Sequence, residues 1–186
     1  MSGWHPLAQL IAVANGSTLL VLGSNLGDRI SHLTNGISVL GRVADIHAVS
    51  PVYESPAADY LHQPAFLNVA VRLTTTLGPL RFLMWCKSIE YSAGRRPGIR
   101  FGPRPLDVDV ITMGSLAIRS HRITLPHPRF TGRAFMVAPL ADIASTEIPP
   151  DCDVPIAELD RRLGRTGLVK VAHPATVWKN TENTAP

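Results

Sequence analysis

The sequence predicts an α+β fold, a ferredoxin-like sandwich in which helices flank a mainly antiparallel central sheet. Three observations lead to this prediction. Apolar and polar residues alternate in several short segments, apolar residues recur at helical spacing between those segments, and no internal repeat divides the chain. A length of 186 residues with 45% hydrophobic and 17% charged residues is ordinary for one compact domain.

The first elements are a strand, a loop and a helix. Residues 18–22 form an apolar run that predicts a short buried strand, and the glycine-bounded loop 23–27 ends it. Asp28 is expected to cap the helix, because its side chain can accept a backbone N–H of the first turn. The apolar face of this helix is predicted from four residues at helical spacing: Ile30, Leu33, Ile37 and Leu40.

Two further strands are expected, one within residues 43–53 and one within residues 66–75. In the later strand, the residues predicted to face the core are Leu67, Val69, Val71 and Leu73. Phe66 and Asn68 then point to the opposite surface. An aromatic ring next to an amide at that surface suits the binding of a flat heterocycle.

A second helix is expected to begin near Pro79 and to stop at Gly94, since proline favours the first helical turn and glycine the end. Its buried stripe is predicted from Phe82, Cys86, Ile89 and Ala93. The later elements are predicted in this order: a strand at 106–111, a turn at 113–115, a short strand at 116–118 and a helix at 156–163 that closes the chain.

The residues with the clearest chemical meaning lie in segment 100–109, which reads RFGPRPLDVD. Asp107 and Asp109 alternate with apolar residues, so on a strand both carboxylates share one face, with Cα atoms roughly 7 Å apart. This arrangement suits a pair of divalent cations, which lie about 4 Å apart in two-metal sites. The arginines just upstream offer planar donors that match phosphate oxygens. The segment therefore predicts a metal site next to a phosphate-binding loop.

Composition indicates which ligands and which cellular compartment to expect. The formal charge of +4 and the pI near 9.5 come from arginine far more than lysine, which favours bidentate recognition of anions. Cys86 and Cys152 lie far apart and form no CxxC pair, so we expect reduced thiols and a cytoplasmic protein. The apolar stretch 7–14 lacks a basic flank and is too short to span a bilayer, so neither a signal peptide nor membrane association is expected.

Five segments together resemble the 6-hydroxymethyl-7,8-dihydropterin pyrophosphokinase family of folate biosynthesis. They are residues 23–27 (GSNLG), 66–68 (FLN), 100–109 (RFGPRPLDVD), 125–128 (LPHP) and 133–135 (RAF). The resemblance extends from about residue 19 to about residue 150. It implies a Mg²⁺-dependent kinase that transfers the β,γ-pyrophosphate of ATP to the pterin hydroxymethyl group and releases AMP.

The same resemblance implies a role for each matching residue. Asp107 and Asp109 match ligands of two Mg²⁺ ions that bind with ATP, and Arg95 and Arg104 match catalytic arginines. The residues expected to bind ATP are Glu90, Arg95, Arg104, Val110, Arg122, His127 and Arg133. The residues expected to bind the pterin are Ser55, Pro56, Phe66, Asn68, Phe101 and Phe135.

The chain departs from the family in its loops. Phe101 stands where relatives commonly have Trp, Phe66 stands where they often have Tyr, and loop 95–101 is shorter and less charged than in some of them. The family closes mobile loops over its active site, and the corresponding loops here are 55–63 and 95–101. A different closure of loop 95–101 is therefore expected.

Two other functions are compatible with parts of the pattern. A ferredoxin-like RNA-binding module would use a basic surface with exposed aromatics, but the aromatic RNP signature is missing and paired aspartates would repel an RNA backbone. A metal-dependent nuclease could also use an Asp-x-Asp pair, although its linkage to Gly-Pro-Arg favours a nucleoside triphosphate. The expected partners are thus ATP and the pterin, without nucleic acid or membrane, and the chain is expected to be a monomer.

The predicted organisation of the chain is an N-terminal extension (1–17), a single catalytic domain (18–165) and a C-terminal tail (166–186).

Overall fold

A computed structural model describes residues 16–99 and 101–178. The strands are β1 (Thr18–Ser24), β2 (Asp45–Val49), β3 (Val52–Ser55), β4 (Phe66–Thr74), β5 (Asp107–Met113), β6 (Ile118–Arg119), β7 (Thr124–Leu125) and β8 (Val169–Ala172). The helices are α1 (Arg29–Leu40), α2 (Pro79–Ser92), α3 (Ala134–Ala144), α4 (Ile156–Leu163) and α5 (Pro174–Val177), and a 3-10 turn (Phe130–Gly132) precedes α3.

The main sheet is antiparallel and has the order β5-β1-β4-β3-β8, with β2 also paired to β4. Strands β6 and β7 form a separate two-stranded ribbon. This arrangement of strands and helices confirms the predicted ferredoxin-like α+β sandwich. Within the described residues, no helix is both long and apolar enough to cross a membrane.

Helices cover both faces of the main sheet, which explains the unbroken apolar run in β1. Leu20 and Leu22 pack in one core cluster with α1 and α2, whereas Leu19 and Val21 pack in a second cluster with α3 and α4. All seven residues of β1 are buried as a result. The four predicted core residues of β4 also lie in the first cluster, which confirms that prediction: Leu67, Val69, Val71 and Leu73.

Local signals set the ends of α1 and α2. The side chain of Asp28 accepts the backbone N–H of Ser31, so the predicted N-cap of α1 is confirmed. Pro79 is the first residue of α2, where its missing N–H is harmless. Gly94 follows the end of α2 with a φ of 95°, a conformation that costs glycine little.

The structure differs from the prediction in three places. Strand β2 lies within residues 43–53 as predicted, but a further strand, β3, begins at Val52, because Pro51 cannot donate to the ladder and Ser50 turns its hydroxyl to the carbonyl of Pro51. Helix α3 was not predicted. Helix α4 does not close the chain, because β8 follows it and pairs with β3.

The predicted boundaries of the domain stay predictions, although residues 169–172 of the predicted tail belong to the sheet. Most of the predicted N-terminal extension and the last eight residues of the predicted C-terminal tail lie outside the described residues.

Candidate active site

The register of the sheet builds one wall of a cleft on the α3 side. Gly23 in β1 pairs with Asn68 in β4 and with Asp107 in β5, so these three residues form a row across neighbouring strands. Asp109 lies two residues further along β5, opposite Val21. Since alternate residues of a strand share a face, both aspartates lie on the same side as Asn68. All five residues line the cleft.

The two aspartates have opposite electrostatic surroundings. Asp107 accepts hydrogen bonds from Arg95 and from Arg104, the latter at 2.8 Å between Nη1 and Oδ2. Burial alone raises the pKa of Asp107, but the charges of Arg104 and Arg95 outweigh it and leave this pKa below its ordinary value. Asp107 is therefore ionised near pH 7, and the two guanidinium groups balance its negative charge.

Asp109 has no hydrogen bond or ion pair with any residue in the described part of the chain. Burial and the neighbouring charge of Asp107 raise the pKa of Asp109 to about 7. A partly buried carboxylate without a partner is costly, and a divalent cation would remove that cost. No cluster of three or more potential metal ligands occurs within residues 16–99 and 101–178. Magnesium does not need one, because it binds through one or two carboxylates together with substrate phosphates and water.

Asn25 holds the arginine-bearing loop against β1. Its Oδ1 accepts the backbone N–H of Arg104 at 2.8 Å, and its own backbone N–H donates to the carbonyl of Arg104 at 3.2 Å. The Asn25 amide also donates to Gln63 Oε1 at 3.0 Å, while Gln63 Nε2 donates to the carbonyl of Phe101 at 2.9 Å. Asn25 is 2% exposed. It thus joins the arginine-bearing loop before β5 to the loop before β4.

Glu90 in α2 holds cations beside the aspartates. Its Oε1 accepts the backbone N–H of Val108 at 2.9 Å and contacts Lys87 Nζ at 2.6 Å, while its Oε2 contacts Arg95 Nη1 at 2.6 Å. Burial raises the pKa of Glu90, although Lys87 and the Val108 N–H oppose that rise. With a side chain only 4% exposed, Glu90 lines an adjoining groove and anchors α2 to β5.

The same cleft contains the residues predicted to bind a heterocycle. All six line it: Ser55, Pro56, Phe66, Asn68, Phe101 and Phe135. Asn68 is 3% exposed, and its Nδ2 donates to Ser55 Oγ at 2.9 Å. The side-chain oxygen of Asn68, Oδ1, accepts no hydrogen bond from a described residue. It is therefore available to accept a hydrogen bond from a ligand.

A cluster of charges lies above the cleft. Asp59 pairs with Arg133 and with Arg129, and the Arg129 guanidinium lies 4.5 Å from the centre of the Phe101 ring. Burial, followed by the charges of Arg133 and Arg129, lowers the pKa of His127 to about 4. The imidazole of His127 is thus neutral near pH 7.

The structure brings most of the predicted site residues together, but two lie apart. Val110 is 7% exposed and packs in the apolar core, so a contact with nucleotide would have to use its backbone. Arg122 is exposed in the turn between β6 and β7 and does not line either cleft. The roles of all the predicted residues stay predictions.

Four cleft residues with polar or charged side chains were not among the predicted site residues: Asp59, Gln63, Lys87 and Arg129. Lys87 had a usable signal, because it lies three residues before Glu90 and so on the same side of the helix. Arg129 lies two residues after His127. Asp59 and Gln63 belong to an irregular loop, where the sequence has no periodicity that could reveal their direction.

Comparisons with known proteins identify the family of this chain. Residues 19–145 match the family model for 7,8-dihydro-6-hydroxymethylpterin-pyrophosphokinase (HPPK). The 2-amino-4-hydroxy-6-hydroxymethyldihydropteridine pyrophosphokinase of Aquifex aeolicus is 37% identical over 139 residues, which cover 75% of this chain and 87% of that protein. The protein of the same name from Bacillus subtilis is 37% identical over 131 residues, covering 69% and 78%.

Some relatives are much longer than this chain. The mitochondrial folate synthesis bifunctional protein of Pisum sativum is 40% identical over 143 residues, which are 76% of this chain but 28% of that protein. Among solved structures, a Plasmodium falciparum HPPK-DHPS matches with a TM-score of 0.66 at 13% identity, covering 83% of this chain and 44% of that one. This structural likeness supports the fold.

Proposed function

The chain belongs to the 7,8-dihydro-6-hydroxymethylpterin-pyrophosphokinase family, and from this premise we propose that it is a 2-amino-4-hydroxy-6-hydroxymethyldihydropteridine diphosphokinase. It transfers pyrophosphate from ATP to 6-hydroxymethyl-7,8-dihydropterin in folate biosynthesis and releases AMP. The observation that carries the proposal is the cleft in which Asp107, Asp109 and two arginines face the same space as Asn68. One end thus suits metal and polyphosphate, and the other end suits a planar heterocycle.

Asp107 and Asp109 would hold two Mg²⁺ ions together with the phosphates of ATP. When bound, these ions would neutralise charge that develops on the transferred group. Arg95 and Arg104 already face this position with their guanidinium groups on Asp107. Phosphate oxygens would take over part of these contacts, because guanidinium binds phosphate and carboxylate in the same way.

No protein nucleophile is required in this reaction. The hydroxymethyl oxygen of the pterin attacks the β-phosphorus and loses its proton to water, the bond from that phosphorus to the bridging α-phosphate oxygen breaks, and AMP leaves with that oxygen and the electron pair. Catalysis then depends on alignment and on fixed positive charge. Arg133 and the neutral imidazole of His127 line the cleft where they could orient the phosphates.

The pterin would lie between aromatic side chains with its polar edge on Asn68. Phe66 and Phe135 line the same cleft as this amide, and aromatic rings favour stacked contacts with a flat heterocycle. Asn68 offers both a carbonyl acceptor and an N–H donor, which match the mixed donors and acceptors of a pterin edge.

We also propose that the protein acts as a cytoplasmic monomer whose partners are ATP and the pterin. The free thiols of Cys86 and Cys152 support a reducing compartment.

The direct test is to incubate the purified chain with ATP, Mg²⁺ and 6-hydroxymethyl-7,8-dihydropterin and to quantify products by chromatography. We expect AMP and pterin diphosphate in equal amounts and no AMP when the pterin is omitted. Formation of ADP, or of AMP without pterin diphosphate, would contradict the proposal. Asp109→Asn is the matched inactive control, because it keeps the size of the side chain and removes one metal-binding charge.

A further inference from the structure

Lys87 lies where the main cleft and the adjoining groove meet. It lines both of them, as do Arg95, Phe101 and Arg104. Sequence reasoning placed Arg95 and Arg104 in the site and gave Lys87 no role. The position of Lys87 on α2 nevertheless puts its ammonium group among the residues predicted to receive the polyphosphate of ATP.

The ammonium group is held in place but is not saturated. Lys87 Nζ lies 2.6 Å from Glu90 Oε1, and this is its one hydrogen bond or ion pair within the described part of the chain. An ammonium group has three donors, so two remain for a ligand. The Lys87 side chain is 50% exposed, whereas the Glu90 side chain is 4% exposed. Glu90 is therefore a buried anchor that holds a cation whose outer side stays accessible.

The need to balance the charge of Glu90 does not by itself explain why a lysine lies at position 87. Arg95 Nη1 already lies 2.6 Å from the other oxygen of Glu90, and the Val108 N–H satisfies the first oxygen. Lys87 also lines the cleft that contains both Asp107 and Asp109. Its charge therefore reaches the space beside the aspartate pair.

We propose that Lys87 binds a phosphate oxygen of the donor nucleotide and thereby selects a polyphosphate over a nucleoside monophosphate, an inference that rests on the proposed function. A lysine suits this role, because its compact charge and flexible stem can follow a phosphate group that moves during transfer. Glu90 holds the stem near its working position and reduces the conformational entropy lost on binding.

The test measures binding by calorimetry with α,β-methylene-ATP, whose α,β link cannot be cleaved, and with AMP. In the presence of Mg²⁺, Lys87→Gln should bind the analogue about tenfold more weakly, as expected for loss of one charge-assisted contact at a half-exposed site. AMP and 6-hydroxymethylpterin should bind within about twofold of wild type. The analogue's affinity should also depend less steeply on salt in the variant, because one phosphate contact is lost.

Arg81→Gln is the matched control. It removes the same charge from the same helix six residues earlier, at an exposed position outside both clefts. Lys87→Arg should retain analogue affinity within about threefold. The inference is overturned if Lys87→Gln binds the analogue as tightly as wild type, if Arg81→Gln loses as much affinity, or if AMP is weakened to the same degree.

A purely structural role is distinguished in the same experiment. If Lys87 only supported Glu90, Lys87→Gln would lower the melting temperature and weaken the analogue and the pterin together. The result is also separate from the proposed function. A wild-type chain that makes no pterin diphosphate, yet loses analogue affinity in Lys87→Gln, would refute the activity and leave the role of Lys87 standing.

Discussion

Replacing Asp109 with asparagine should stabilise the metal-free protein while abolishing its activity. The reason is that Asp109 lies partly buried beside Asp107 and has no ion pair with a described residue, and its pKa is raised to about 7 by burial and by that neighbour. Above this pH the Asp109 side chain is charged in both states, but the charge costs more free energy in the folded chain than in the unfolded chain, where water solvates it. Asparagine removes the charge and keeps the shape of the side chain.

The size of the effect follows from the pKa. A rise from 3.8 to about 7 sets an upper limit of roughly 4 kcal/mol, since each pKa unit corresponds to about 1.4 kcal/mol. Some of this is recovered when the neighbouring arginines readjust, so we expect about 2 kcal/mol at pH 8. That is an increase of about 4 to 8 °C in melting temperature for a chain of this size.

The pH dependence has a defined sign. Because the folded pKa is raised, wild type is most stable with respect to this group below pH 3.8 and loses that stability as pH rises towards about 7. The advantage of Asp109→Asn should therefore grow between about pH 4 and pH 7 and stay constant above it. Thermal melts in the presence of a chelator, recorded at pH 5 and pH 8, measure both values.

Asp107→Asn is the matched control, because it removes a carboxylate two residues away on the same face. Asp107 pairs with Arg95 and Arg104, so its loss should destabilise the protein. Opposite signs for two neighbouring carboxylates would be difficult to obtain from a general charge effect. If Asp109→Asn melted at or below wild type at pH 8, the reasoning about an unpartnered carboxylate would be refuted.

The remaining predictions concern the two ends of the cleft. Asn68→Ala should weaken 6-hydroxymethylpterin binding by about tenfold and leave α,β-methylene-ATP within about twofold, because the proposed function gives this amide a contact with the heterocycle and none with the nucleotide; equal losses for both ligands in calorimetry would contradict this. Asp59→Asn should strengthen binding of the nucleotide analogue severalfold, because Arg133 and Arg129 would no longer be held by a competing carboxylate. Weaker binding of the analogue by Asp59→Asn would instead mean that Asp59 orients these guanidinium groups for phosphate.

Regular elements were predictable where one face of the chain is apolar. The alternation in β4 and the helical spacing in α1 both indicated the correct elements, because each element buries one face against the core. Helix α3 carries no such signal. Its residues from Met136 to Leu140 are all buried, so no polar face reveals a period, and Pro139 argues against a helix.

Strand β8 was missed for the opposite reason. Three of its four residues are exposed: Val169, Lys170 and Val171. The strand therefore has no alternation of buried and exposed residues that the sequence could reveal. The strand is held by its backbone ladder to β3 and by Lys170 Nζ, which lies 3.1 Å from Asp142 of α3. Both contacts join residues that are distant in the chain, and short-range patterns do not encode them.

The site divides in the same way. Asp107 and Asp109 could be placed because period-two geometry fixes their common face, and the same rule turns Val110 into the core. Asp59 and Arg129 could not be placed, since their pairing depends on how two irregular loops fold over the cleft. Sequence reasoning therefore finds residues on the sheet more reliably than residues above it.

This difference between sheet and loops also has a mechanistic consequence. Asn68, Gly23 and Asp107 occupy paired positions on three neighbouring strands, so roughly two strand spacings, about 10 Å, separate the amide from the first carboxylate. A hydrogen-bonded ladder fixes that distance and, under the proposed function, the position at which a bound pterin would present its hydroxymethyl group. The arginines proposed to bind phosphate lie in loops or beside them, where the geometry could change on ATP binding. Substitutions in the loops should therefore alter nucleotide binding and turnover, whereas a shift in the β1–β4 register would separate the two substrates outright.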